Sequence, residues 1–156
     1  MTVLGTAPSH ADEFCDVLKT VVAAAPSDFQ AVRGRPRKDD LRTYDHPLAL
    51  PGARWIIEGS PGCVVSRQPD TPPTFTYSCS FFGGGSTLPE AHSALVGFTS
   101  RVATCLDVSA PQIDQSASLA FRPYRLSYAQ ADVTITLVFL PDGGDGLLSL
   151  NIGKAK

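Results

Sequence analysis

The chain contains 156 residues, of which 43% are apolar, and it carries a formal net charge of −2 at pH 7. This length fits one domain with a sizeable core, and a slightly acidic balance argues against a general nucleic-acid binder. No apolar run approaches the roughly 20 residues that a membrane-spanning helix needs, so we expect no membrane span.

The first predicted element is a helix over ADEFCDVLKTVVAAA. Its apolar residues repeat at the spacing of one helix face, acidic residues occupy the first turn, and Pro26 follows as a stop signal. The preceding Ser9-His10-Ala11 has the small-x-small pattern that ends a signal peptide, but no complete signal is present. We expect residues 1–10 to form a flexible tail and residues 11–156 to form a single domain.

A basic run follows the first helix. DFQAVRG is predicted to begin a strand, RGRPRKDD a polar loop, and DLRTYDHPL and ARWIIEG two short strands. A solvated loop is the simpler interpretation of the basic run, because two aspartates follow it and offset part of its charge. It is nevertheless the best candidate patch for a partner, and its candidate residues are Arg33, Arg35, Arg37 and Lys38. If this run does not bind a partner, we expect the interface at Tyr44 and Trp55, provided that they are exposed.

The stretch GCVVSRQPDTPPTFTYSCSFF predicts an antiparallel hairpin. If the chain folds back at Thr71, Cys63 faces Cys79 and Val65 faces Tyr77. Apolar residues then occupy one face of the hairpin, and serines and threonines occupy the other. The prolines suit the turn because they cannot donate to a strand ladder.

A second helix is predicted in TLPEAHSALVGFTSRVATCLD. Thr87 and Glu90 have the T-x-x-E spacing of a capping box, and Pro89 is tolerated in the first turn. Apolar residues recur at alternating spacings of four and three residues, and Cys105 lies on this stripe.

The last third is predicted to form strands. Pro123 makes SLAFRPYRL an edge or bulged strand. DVTITLVFL and GLLSLNI form a second hairpin with a polar back, and its predicted pairs are Ile135 with Ile152, Leu137 with Leu150 and Phe139 with Leu148.

This α-β-β-β-α-β-β-β order predicts a two-layer α+β fold, an antiparallel sheet with two helices on one face. The order occurs twice and suggests a structural pseudo-repeat, although the two halves have no obvious sequence match. The layout resembles that of small exported bacterial proteins and secretion chaperones, a likeness of fold that transfers no site.

Four cysteines allow three disulfide connectivities. We expect Cys63–Cys79 as a cross-strand bridge and Cys15–Cys105 as a bridge between the helices. The alternative pairs each helix cysteine with a sheet cysteine, and a further alternative leaves all four as core thiols in a cytosolic protein. Bridges would indicate an oxidising compartment, periplasmic or secreted.

No motif predicts chemistry. The three histidines lack metal-ligand spacing, no C-x-x-C occurs, and the run of glycines before the second helix lacks the lysine of a phosphate loop. Neither G-x-S-x-G nor S-x-x-K is present. We therefore expect no metal, no cofactor and no catalytic residue that a single sequence identifies.

Two main functional hypotheses of different classes remain, together with one further alternative. The first is a non-enzymatic, disulfide-stabilised bacterial binding protein, exported to the periplasm or secreted, that acts through protein–protein contact as an inhibitor or immunity protein does. The second is a small hydrolase whose site assembles only in the fold. A third alternative is a cytoplasmic adaptor with free thiols that is similar to a secretion chaperone.

Overall fold

Two helices, a short 3-10 turn and six strands form the part of the chain that the computed structural model describes, residues 10–34, 43–44, 60, 62–82, 87–114, 116, 118–128, 132–141 and 146–155. In chain order these elements are α1 (His10–Ala24), the 3-10 turn Ala25–Ser27, β1 (Thr43–Tyr44), β2 (Gly62–Gln68), β3 (Thr74–Phe82), α2 (Leu88–Leu106), β4 (Pro123–Tyr128), β5 (Val133–Leu140) and β6 (Leu147–Lys154). The predicted α+β class and element order are confirmed. The predicted strand ARWIIEG lies outside the described residues.

All strand pairs are antiparallel, and the spatial order is β1-β2-β3-β6-β5-β4. The last strand of each α-β-β-β half, β3 or β6, therefore lies at the centre of the sheet, and these two strands pair with each other. The two halves are thus arranged symmetrically about the β3–β6 pair, which is the arrangement that a structural pseudo-repeat predicts.

Both predicted hairpin registers are confirmed. In the first, Cys63 pairs with Cys79 and Val65 with Tyr77. In the second, the predicted pairs on β5 and β6 are the observed ones: Ile135 with Ile152, Leu137 with Leu150 and Phe139 with Leu148. Pro123 is the first residue of β4, which is an edge strand, as the sequence predicted.

The core lies between one face of the sheet, the inner face, and the two helices. Side chains along β5 alternate between buried and half-buried, so the strand turns its isoleucine, leucine and phenylalanine towards the core. Aromatic contacts join the layers: the Phe98 ring of α2 lies 6.1 Å from the Phe14 ring of α1 and 4.5 Å from the Phe81 ring of β3. The two-layer arrangement therefore follows from the period-two pattern of the strands and the helical spacing of the apolar residues.

The helix α2 begins with the predicted capping box. The Thr87 hydroxyl accepts a hydrogen bond from the Glu90 amide at 3.4 Å, and the Glu90 carboxylate accepts one from the Thr87 amide at 3.1 Å. These two bonds satisfy amide donors that the first turn of a helix leaves without partners. The helix ends where Asp107 adopts a left-handed conformation, with φ of 53°.

The segment after α1 corrects one prediction. DFQAVRG forms turns rather than a strand. The Phe29 amide donates to Ala24 O at 2.9 Å, and the Val32 amide donates to Phe29 O at 2.9 Å, so these donors are not available to a strand ladder. Phe29 is fully buried, and its ring centroid lies 6.1 Å from that of Tyr77 on β3. Burial of this ring overrides the strand propensity of the segment.

Candidate functional site

The face of the sheet opposite the helices, the outer face, carries short polar side chains. They alternate with the core residues, and most are half-buried. The polar and glycine residues of the outer face near the centre of the sheet are Ser66, Thr76, Ser78, Ser80, Thr134, Thr136, Ser149, Asn151 and Gly153. Val64, opposite Ser78, and Val138, opposite Ser149, are apolar residues of the same face. Arg125 on β4, opposite Thr136, is the one ionisable side chain among the described outer-face positions of β2 to β6.

A groove of about 550 Å³ crosses this face and is named here the Gly153 groove. Gly153 pairs with Thr76 on one side and with Thr134 on the other, so the row of side chains has a gap at its centre. A Cβ atom at this glycine would lie 3.5 Å from Phe75 O and 3.8 Å from Thr76 Oγ1, which is ordinary contact. The described residues that line it are Thr76, Arg125, Thr134, Thr136, Asn151, Gly153, Lys154 and Ala155.

Hydrogen bonds fix the amide of Asn151 in this groove. The Ser78 hydroxyl donates to Asn151 Oδ1 at 2.8 Å, and Asn151 Nδ2 donates to Ser149 Oγ at 3.1 Å. Lys154 is engaged elsewhere, because its ammonium lies 2.7 Å from Asp28 Oδ1. Arg125 has no ion-pair partner among the described residues. The groove therefore offers one guanidinium that pairs with no described acidic residue, beside an amide that is already oriented.

A second cleft, of about 310 Å³, lies between α2 and the segment after it, with Ile113 on its far side. His92 is buried, and its Nε2 lies 3.4 Å from Ile113 O. The Thr99 hydroxyl is also buried and has no hydrogen-bond partner within the described part of the chain.

The cleft does not form a nucleophile–base pair from these two residues. Seven positions separate His92 from Thr99 on one helix, which corresponds to about 10.5 Å along the axis. No carboxylate lines the cleft among the described residues. Nearby Asp114 is exposed, and hydrogen bonds from the amide and hydroxyl of Ser116 lower the pKa of its carboxyl.

The predicted basic patch is placed only in part. The Arg33 guanidinium lies 4.7 Å from the centroid of the Phe75 ring, near the tip of the first hairpin. Tyr44 lies in β1 and pairs with Val65. The remaining candidates fall outside the described residues, and they are Arg35, Arg37, Lys38 and Trp55. The role of this patch in binding stays a prediction.

Both disulfides join the predicted cysteines. Cys15–Cys105 links α1 to α2 with a Cα–Cα distance of 5.1 Å, and Cys63–Cys79 links β2 to β3 with a Cα–Cα distance of 4.2 Å. No cysteine is free. The alternative pairing between helices and sheet is therefore wrong, and the protein is stabilised by disulfides.

Two absences concern the described residues alone. They contain no group of three or more histidine, cysteine or acidic side chains that could hold a metal ion. Neither of the two described helices is both long enough and apolar enough to cross a membrane.

A scan against protein-family models and searches of curated proteins and solved structures gave no match. The function is therefore inferred from the residues of this chain.

Sequence reasoning did not identify the Gly153 groove. It recognised that the second hairpin has a polar back, but it did not treat that back as a site. The available signal was the kind of polarity: the polar outward positions of VTITLVFL and LLSLNIGK are Thr134, Thr136, Ser149 and Asn151, and no outward position of these two strands is charged.

Proposed function

We propose that the protein is a non-enzymatic binding protein, exported to the periplasm or secreted, whose outer face contacts another protein. It acts by surface complementarity, as an inhibitor or an immunity protein does. The observation that carries this proposal is the nearly uncharged outer face, on which Arg125 is the one ionisable side chain of the described strand positions.

The composition of the outer face favours binding in two ways. Charged residues are depleted at the centres of protein interfaces, because each must be desolvated on association. Serine and threonine have short side chains and glycine has none, so little rotamer entropy is lost when a partner covers them. The hydrogen bonds of Asn151 to Ser78 and Ser149 add an amide that is oriented before binding.

The two disulfides support export. Disulfides persist in oxidising compartments and are rare in the reducing cytosol. Alkylation of the protein in intact cells, followed by denaturing electrophoresis without reductant, tests this part of the proposal. We expect no free thiols, and four free thiols would instead favour the cytoplasmic adaptor.

The hydrolase alternative has less support. Its best candidate site is the His92 cleft, where the histidine and the buried hydroxyl of Thr99 lie too far apart along the helix to share a hydrogen bond. The outer face offers no described carboxylate or histidine for acid–base chemistry.

Site-specific photo-crosslinking in the native cell tests the proposed surface. A benzophenone amino acid is placed at Thr136 on the outer face, and a matched control replaces Thr104, an exposed threonine of α2. We expect one discrete protein adduct from position 136 and none from position 104. No adduct from position 136, or the same adduct from both positions, would contradict contact through the outer face.

A further inference from the structure

The charge of the Gly153 groove indicates what kind of group fits it. Arg125 is exposed, it lies opposite Thr136 in the sheet register, and no described acidic residue pairs with it. The other cation of the lining, Lys154, is already paired with Asp28 at 2.7 Å. An incoming anion would therefore meet one guanidinium whose charge no described group neutralises.

The hydrogen-bonding groups of the groove agree with this charge. A carboxylate can only accept hydrogen bonds, whereas guanidinium and hydroxyl groups can donate them. Thr76, Thr134 and Thr136 line the groove, and their hydroxyls make no hydrogen bond to another described residue. The lining contains no described carboxylate that would repel an anion.

We propose that the Gly153 groove receives an aspartate or glutamate side chain of the partner protein, with Arg125 as its counter-ion and the threonine hydroxyls as further donors. The inference rests on the proposed function and specifies the chemistry of the partner. Arginine suits this role because its planar guanidinium can bind a carboxylate through two parallel hydrogen bonds.

The edge of the sheet argues for recognition by side chains rather than by strand addition. β4 is an edge strand, and its first residue, Pro123, has no amide to donate to an added strand. Proline and charged residues on an edge strand disfavour pairing with another chain. We therefore expect a partner to contact Arg125 from the outer face, where this residue lines the groove.

The test uses two synthetic peptides, acetyl-Gly-Gly-Glu-Gly-Gly-amide and its glutamine counterpart. The backbone amide signals of Thr134, Thr136 and Gly153 are followed by NMR as each peptide is added. We expect the glutamate peptide to shift these signals with a dissociation constant on the order of millimolar. The glutamine peptide should bind at least about five-fold more weakly, since it loses the charge-assisted hydrogen bonds.

Two variants localise the effect. Arg125→Gln should remove the difference between the peptides, because the exposed cation is lost while the groove keeps its shape. Gly153→Val should abolish binding of both peptides by filling the groove, and Gly97→Ala on α2 is the matched control that should bind as the wild type does. Arg125→Gln keeps the test decisive if Gly153→Val fails to fold.

Three results would overturn the inference. They are equal binding of the two peptides, an Arg125→Gln variant that keeps the preference for glutamate, and shifts caused by inorganic phosphate but not by the glutamate peptide. A crosslink from position 136 without peptide binding would remove this inference and leave the proposed function standing. Peptide binding without any crosslink would support the groove and contradict the proposed function.

Discussion

The two disulfides should contribute unequally to stability. In the chain-entropy account, a disulfide stabilises by restricting the unfolded chain, and its effect grows with the logarithm of the loop that it closes. The sequence separation is 16 residues for Cys63–Cys79 and 90 residues for Cys15–Cys105. The relation gives about 3.1 kcal/mol for the short loop and about 4.6 kcal/mol for the long one at 25 °C.

The contribution of each bridge to the free energy of unfolding can be measured while both of its own cysteines stay in the chain. Reduction of the Cys63→Ala/Cys79→Ala variant breaks Cys15–Cys105 alone, and reduction of the Cys15→Ala/Cys105→Ala variant breaks Cys63–Cys79 alone. The free energy of unfolding is obtained from urea titrations with and without a phosphine reductant. The thiols stay in place as small apolar groups, so the difference reports mainly the loss of the crosslink.

We expect the helix–helix bridge to contribute about 1.5 kcal/mol more than the cross-strand bridge. A larger contribution from Cys63–Cys79 would refute the chain-entropy reasoning for this protein. It would show that the unfolded chain already keeps α1 near α2, since residual structure reduces the entropy that a crosslink can remove.

Three further predictions concern single residues. Tyr77→Ala should destabilise the protein by about 3 kcal/mol or more, because Tyr77 is fully buried on a central strand, and a loss below about 0.5 kcal/mol in urea unfolding would contradict this inner face. Gly97→Ala should stabilise by about 0.5–1 kcal/mol, since no atom lies within 4 Å of the added Cβ in α2; a lower melting temperature would contradict it. Ser116→Ala should raise the pKa of Asp114 towards its ordinary value, though the bond from the Ser116 amide remains. Because folding lowers this pKa, the Asp114 carboxylate stabilises the folded protein at pH values above its pKa in the unfolded chain, and this stabilisation is lost as the pH falls through its pKa in the folded protein. An NMR titration of Asp114 that Ser116→Ala leaves unchanged would contradict the assignment.

The hairpins could be predicted to the residue because two local signals agreed. Alternation of apolar and polar residues fixes which face of a strand is buried, and a shift of one residue would reverse every side chain. In the first hairpin, the proline-rich tip also indicated the turn that brings Cys63 opposite Cys79. Alternation and turn chemistry are both readable from neighbouring residues.

The segment after α1 could not be predicted in the same way. DFQAVRG has the aromatic and β-branched content of a strand, and its real conformation depends on Phe29 filling the core beside Tyr77. Tyr77 lies 48 positions further along the chain, on a hairpin whose position relative to α1 is a tertiary property. Local propensity carries no information about such a contact.

The groove could not be predicted from either hairpin alone, because it depends on how the two hairpins pair with each other. Thr76 belongs to the first half of the chain, Gly153 and Thr134 to the second, and the β3–β6 pairing brings them together. The sequence predicted the pairs within each hairpin but not which strands of the two halves are neighbours.

Substitutions on the outer face should have little effect on stability, because the described apolar core lies on the other side of the sheet. Both helices, both disulfides and the apolar core are there.

Two adjacent residues of β5 test this separation of binding from stability. Ile135 is fully buried on the inner face, and Thr136 is half-buried on the outer face. Ile135→Ala should cost about 2–5 kcal/mol in urea unfolding. Thr136→Glu should cost less than about 0.5 kcal/mol and still abolish the crosslinked adduct expected from a probe at Thr134, because its carboxylate lies opposite Arg125 and repels the carboxylate of the partner. A cost above about 1.5 kcal/mol for Thr136→Glu would mean that the folded chain itself covers this face, which would leave no surface there for a partner.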